Sequence, residues 1–154
     1  MKILISTYAV PDSSHPHFFK PEHLDAIKKS AGEDAEVIAT TDKEIAARHA
    51  ENAAVIAGFP FYMPPLGNAK HLKWIHAFSA GVDRVLTAET HHLPVLISNS
   101  SGIHSTPIAE HLIGFMLMFT RGFHKTLRNQ IQHVWEKDET VSELGSKTIL
   151  IVGL

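Results

Sequence analysis

Leu72-Lys73-Trp74-Ile75-His76-Ala77-Phe78-Ser79-Ala80-Gly81-Val82-Asp83 is the stretch that decides how this chain is read. Its first half is an apolar run with the character of a buried strand. A small-small-Gly turn opens at the strand's end. Side chains nearly vanish over three positions, so the backbone amides of Ala80, Gly81 and Val82 can come close to a ligand. Successive exposed N–H groups make a concave cradle for an anion such as a carboxylate. Taken alone, the stretch reads first as an ordinary strand-to-helix turn in which Gly relieves steric strain. Its surroundings decide between the two.

Upstream, strand-like and helical segments alternate. Lys2 to Thr7 is a short β-branched run that ends in the turn signal Val10-Pro11-Asp12-Ser13-Ser14. A helix is expected from Pro21, with Leu24, Ile27 and Lys28 at helical spacing and Gly32 closing it. Glu36 to Ala39 reads as a second strand. Thr41 and Glu44 then look like a capping pair at a helix start. Asn52 to Gly58 is a third strand without polar alternation, so both its faces should be buried. Phe59-Pro60-Phe61-Tyr62-Met63-Pro64-Pro65 is a stiff aromatic loop. Downstream, Arg84 to Thr90 reads as a short helix and Pro94 to Ser98 as a fifth strand.

Five short apolar runs alternating with helical segments specify an α/β fold, a parallel sheet with helices on both faces. Ligands of such sheets bind beyond the carboxyl ends of the strands. Three loops fall there, Tyr8 to Asp12, Gly58 to Tyr62, and Ser79 to Asp83. That position favours the cradle.

The totals narrow the classes. A hydrophobic content of 44% is enough for a real core, and a net charge of −2 offers no basis for nucleic acid as a partner. Cys is absent, which excludes disulfides and thiolate chemistry and suits a cytoplasmic location. The N-terminal run is too short for a signal peptide or a membrane span.

The second half has a different character. Thr106 reads as a helix cap, Pro107 as the first helical residue, and Glu110 as a first-turn acid that suits the dipole. From Leu112 to Phe119 nearly every side chain is apolar, so the helix must be covered on all sides by a second domain or subunit. Arg121 to Trp135 continues as a more polar helical segment, and Lys137 to Ser146 as a charged loop. Lys147-Thr148-Ile149-Leu150-Ile151-Val152-Gly153-Leu154 reads as a fully apolar strand running into Gly, as the first strand of a G-x-G-x-x-G dinucleotide turn does.

Together these residues resemble the D-isomer-specific 2-hydroxyacid dehydrogenases over nearly the whole chain. The resemblance is carried by Leu72-Lys73-Trp74-Ile75 leading to Ser79-Ala80-Gly81-Val82-Asp83. It continues in Ser98-Asn99-Ser100-Ser101-Gly102-Ile103 leading to Ile108-Ala109-Glu110-His111 and Arg121. Its third part is Trp135, Glu143-Leu144 and the run from Lys147 to Leu154. The resemblance implies a flavodoxin-like substrate domain over 1–100. Residues 101–154 would be a crossover helix and the first strand of an incomplete Rossmann-type domain. The activity implied is interconversion of a 2-keto acid and a D-2-hydroxy acid by hydride transfer with NAD or NADP. Ser79, Ala80, Gly81 and Val82 would hold the substrate carboxylate and Phe59 would shape the side-chain pocket. Ile108 would lie against the nicotinamide and Gly153 would open the cofactor turn. The helix 106–121 would pack in a homodimer. The family's catalytic Arg, Glu and His have no counterpart here, so no catalytic residue is assigned, and the 154 residues alone are expected to be inactive and to bind NAD(P) weakly. The competing reading is a stand-alone dimeric flavodoxin-like module that binds a small carboxylate without catalysis.

Other constellations have plainer readings. There are 12 His residues, but His15-Pro16-His17 and His91-His92 lack companion ligands at metal-binding spacing, so no metal site is expected. His76 reads as a packed strand residue and Arg84 as a surface residue. His111 beside Glu110 faces another way on the helix. His104 and Ser105 sit where a ligand could be touched.

Overall fold

The computed structural model describes residues 1–7, 20–137 and 140–152. The chain divides into two compact units, Met1–Ile103 and His104–Leu154.

The first unit is built on a five-stranded parallel sheet. Its strands are β1 (Lys2–Ser6), β2 (Glu36–Thr40), β3 (Val55–Gly58), β4 (Trp74–Ala77) and β5 (Leu96–Asn99), in the spatial order β2-β1-β3-β4-β5. This is the doubly wound, flavodoxin-like order, whose chain reverses direction across the sheet between β1 and β3. Side chains alternate between faces. Leu4, Ile56 and Ile75 point to one face and are fully buried, together with Ala46 and Ala50 of α2 (Lys43–Ala50) and with Leu66, Leu72 and Val85 from the connections. Ile3, Ile5 and Val55 point to the other face, where Leu24, Ile27 and Ala31 of α1 (Pro21–Ala31) cover them. Each large aliphatic side chain buried this way contributes about 1.5–3 kcal/mol. Together they hold the carboxyl ends of β1, β3 and β4 in one row.

Several local expectations shift. The cap of α2 is Asp42, not Thr41: its Oδ1 accepts hydrogen bonds from the amides of Glu44 and Ile45 at 2.7 and 3.0 Å. Thr41 is displaced because Thr40 Oγ1 already accepts the Asp42 amide and starts the turn one residue later. The helix expected over Arg84 to Thr90 is not formed. Val85 is buried in the core, Thr90 Oγ1 donates to the Val85 carbonyl, and the Thr87 amide donates to Thr90 Oγ1 at 2.9 Å. These side-chain bonds compete with helical ones and leave a turn followed by a 3₁₀ turn over Thr90–His92.

The second unit contains α3 (Ser105–Thr120) and α4 (Phe123–Ile131). The ladder of α3 begins where the Ile108 amide donates to the His104 carbonyl at 3.0 Å. Thr106 is therefore inside the first turn rather than its cap, Pro107 is tolerated there, and Glu110 falls beyond the first turn. Gly122, at φ 68°, makes the left-handed bend between the two helices. No residue of α3 is buried, although the helix is apolar on nearly every side. Residues 147–152 form no strand. Apolar on both faces, this segment needs ladder partners on both sides, and it has none among the described residues; Leu150 is 85% and Val152 89% exposed. No described helix is long and apolar enough to cross a membrane.

Candidate functional site

The carboxyl end of β4 is held from both sides. The Phe78 amide donates to the Gly58 carbonyl of β3 at 2.8 Å, and the Ser100 amide, just past β5, donates to the Ser79 carbonyl at 3.1 Å. Beyond this point the chain leaves the sheet through Ser79-Ala80-Gly81-Val82. Val82 ends the excursion, its carbonyl accepting the amides of Val85 and Leu86, both at 2.8 Å, while Val85 plugs into the core. The loop is thus fixed at both ends, with Gly81 exposed and Ser79, Ala80 and Val82 half-buried.

Within the loop the carbonyls are engaged and the amides are not. Ser79 Oγ donates to the Gly81 carbonyl at 2.6 Å, and Asn99 Nδ2 donates to the Ala80 carbonyl at 2.5 Å. The amides of Ala80, Gly81 and Val82 have no acceptor among the described residues. Three adjacent unused N–H groups at a strand's carboxyl end are a ready site for an anion. A Cβ at Gly81 would meet only Asp83 Oδ2, at an ordinary 3.6 Å, so its bareness leaves room on the solvent side rather than relieving strain. The glycine that geometry requires is Gly58, where a Cβ would overlap the Ser6 backbone carbonyl.

Around this loop lie aromatic rings. Phe59 meets Phe78 edge-to-face with centroids 5.7 Å apart, and the row continues along β4 through His76 and Trp74 at 5.6 and 5.9 Å. Ser98 Oγ joins the last two: it accepts from Trp74 Nε1 at 2.8 Å and lies 2.9 Å from His76 Nδ1. His76 is accordingly a packed strand residue. Arg84 is exposed and stacks its guanidinium over the Phe61 ring at 4.1 Å, beside a groove lined by Pro60, Met63, Leu66 and Val85.

The structure thus brings Ser79, Ala80, Gly81 and Val82 into one loop and sets Phe59 against Phe78. Ile108 lies in the second unit, exposed in the first turn of α3. Gly153, the Tyr8 to Asp12 loop, His15 and His17 lie outside the described residues. No group of His, Asp or Glu able to hold a metal ion occurs among the described residues. Sequence reasoning missed Asn99 and Gly58. The signal for Asn99 was its place at the end of a strand next to β4; the signal for Gly58 was a Gly at the very end of a strand flanked by another.

The fold is that of the dehydrogenases whose crystal structures it matches. One is a D-isomer-specific 2-hydroxyacid dehydrogenase family protein from Aeromonas salmonicida subsp. salmonicida A449. It aligns at a TM-score of 0.66 and 21% identity over 89% of this chain and 41% of its own. Another is the NAD-dependent formate dehydrogenase of Staphylococcus aureus, solved in complex with NAD. It aligns at a TM-score of 0.61 and 21% identity over 88% of this chain and 43% of its own. The chain therefore spans less than half the length of either. No family model matches the sequence.

Proposed function

We propose that this chain supplies the substrate-binding part of an NAD(P)-dependent D-2-hydroxyacid dehydrogenase. The observation that carries the proposal is the set of unused amides at Ala80, Gly81 and Val82, at the carboxyl end of β4 in a sheet of the matching fold. Carboxylate oxygens accept hydrogen bonds only, and the cradle offers only donors. Charge-assisted bonds of this kind are worth roughly 1.5–3 kcal/mol each. Against the cost of association, such a cradle holds a small 2-keto or 2-hydroxy acid with a Kd on the order of millimolar. Phe59, braced by Phe78, would shape the pocket for the acid's side chain.

Reduction of a keto acid further requires a hydride carrier, a cation to polarise the keto oxygen and an acid to deliver the proton. The described residues do not fit a dinucleotide: residues 147–152 form no strand, and Ile108 offers one exposed apolar side chain. On this reading the 154 residues bind the acid without turning it over. NAD or NADP enters the proposal through the resemblance and through the matched formate dehydrogenase, which was solved in complex with NAD. The exposed apolar surface of α3 supports a homodimer through 106–121, and the lack of Cys is in keeping with the cytoplasm.

Titrating the ¹⁵N-labelled chain with sodium pyruvate tests the reading. The amides of Ala80, Gly81 and Val82 should move together and saturate in the millimolar range. Shifts confined to other residues would refute it. Measurable NADH oxidation with pyruvate by the purified chain would refute the inactivity.

A further inference from the structure

The cradle's three amides belong to three consecutive peptide groups, and each group is held by its other end. A trans peptide is planar, with its C=O and N–H pointing in opposite directions, and every described peptide here is trans. The Ser79 carbonyl takes the Ser100 amide at 3.1 Å, which turns the Ala80 N–H the other way. The Ala80 carbonyl takes Asn99 Nδ2 at 2.5 Å, which turns the Gly81 N–H away from it. The Gly81 carbonyl takes Ser79 Oγ at 2.6 Å, which does the same for Val82.

These three holds are not equivalent. Ser100 uses its backbone amide, and any residue but proline would do. Ser79 acts inside the loop and moves with it. Asn99 alone reaches in with a side chain from another element, the end of β5, where the register pairs it with Ala77. We infer that Asn99 is the positioning residue of the cradle, pinning the Ala80 carbonyl so that the Gly81 N–H is presented outward. The side chain must donate. An aspartate has the same shape but, when ionised, only accepts, and it would face the Ala80 oxygen with a second acceptor. The inference deepens the carboxylate reading and rests on it only for the ligand.

The experiment uses the full chain, wild type and Asn99→Asp, both ¹⁵N-labelled, at neutral pH. In the wild type, a through-hydrogen-bond coupling should link Asn99 Nδ2 to the Ala80 carbonyl carbon. Order parameters at 80–82 should approach the rigid value of about 0.85. In Asn99→Asp, the order at 80–82 should fall while the core amides of Leu4, Ile56 and Ile75 keep their shifts. The Kd for sodium pyruvate should then rise about five- to tenfold. An Asn99→Asp chain with an ordered cradle and unchanged pyruvate affinity overturns the inference and leaves the carboxylate reading standing. A loosened cradle in the variant, with no pyruvate shifts in the wild type, upholds the positioning role and removes the carboxylate reading. Should Asn99→Asp fail to fold, the wild-type coupling decides: its presence supports the inference and its absence overturns it.

Discussion

Replacing Gly58 by Ala tests the geometry that sets the whole row of strand ends. Gly58 closes β3 beside Ser6 of β1, with which it is in register. A Cβ at this position would overlap the Ser6 carbonyl oxygen and crowd its carbon at 3.0 Å and its Cα at 3.4 Å. All three atoms are backbone, so no side chain can swing aside. The strands must part where both are buried, and Ser6 Oγ would lose its bond to the Tyr62 carbonyl. Overpacking costs typically 1–3 kcal/mol, and a rigid backbone neighbour places this site at about 3 kcal/mol. For a unit of this size that lowers Tm by roughly 12–24 °C. Gly81→Ala is the matched control, because its Cβ meets only Asp83 at 3.6 Å; its Tm should stay within a few degrees of wild type. Circular dichroism melts of the three proteins decide the matter. A Gly58→Ala chain that melts alongside wild type would falsify the close approach of β1 and β3.

Other substitutions read other parts. Asp42→Ala removes the side-chain acceptor of the Glu44 and Ile45 amides and should cost about 1 kcal/mol, seen as a lower urea midpoint with an unchanged slope. Ser98→Ala leaves Trp74 Nε1 and His76 Nδ1 without their shared partner; a loss of about 1–2 kcal/mol in the same urea experiment is expected, and an unchanged midpoint would remove any structural role for the bridge. Phe115, half of an edge-to-face pair with His111 at 4.4 Å, is exposed, as is most of α3. Sedimentation should show the wild type associating at micromolar concentration and Phe115→Glu shifted toward monomer. A clean wild-type monomer would count against the proposed dimer.

How far the sequence could be read follows from what each feature depends on. The strands were legible because Leu4, Ile56 and Ile75 sit in short apolar runs, and the run around Ile56 lacks the polar alternation of a half-exposed strand. The cradle was legible as a place, since a small-residue turn at such a strand's carboxyl end is a local pattern. Its mechanism was not local. The hold of Asn99 on Ala80 depends on the pairing of β4 with β5, and the need for Gly58 depends on how near β1 runs. The helix expected at Arg84 to Thr90 lost to hydroxyl–backbone bonds that periodicity does not register. The apolar run at 147–152 carries a strand's composition, but composition fixes no strand without a neighbour to pair with.

If Ala80, Gly81 and Val82 present their amides to a carboxylate, a crystal structure of the chain with oxamate, a 2-keto acid mimic, will show the contact. A carboxylate oxygen should lie about 2.7–3.2 Å from the Gly81 nitrogen and from at least one neighbouring amide, with Asn99 still on the Ala80 carbonyl. Oxamate bound elsewhere, or cradle amides turned inward onto protein acceptors, would contradict it.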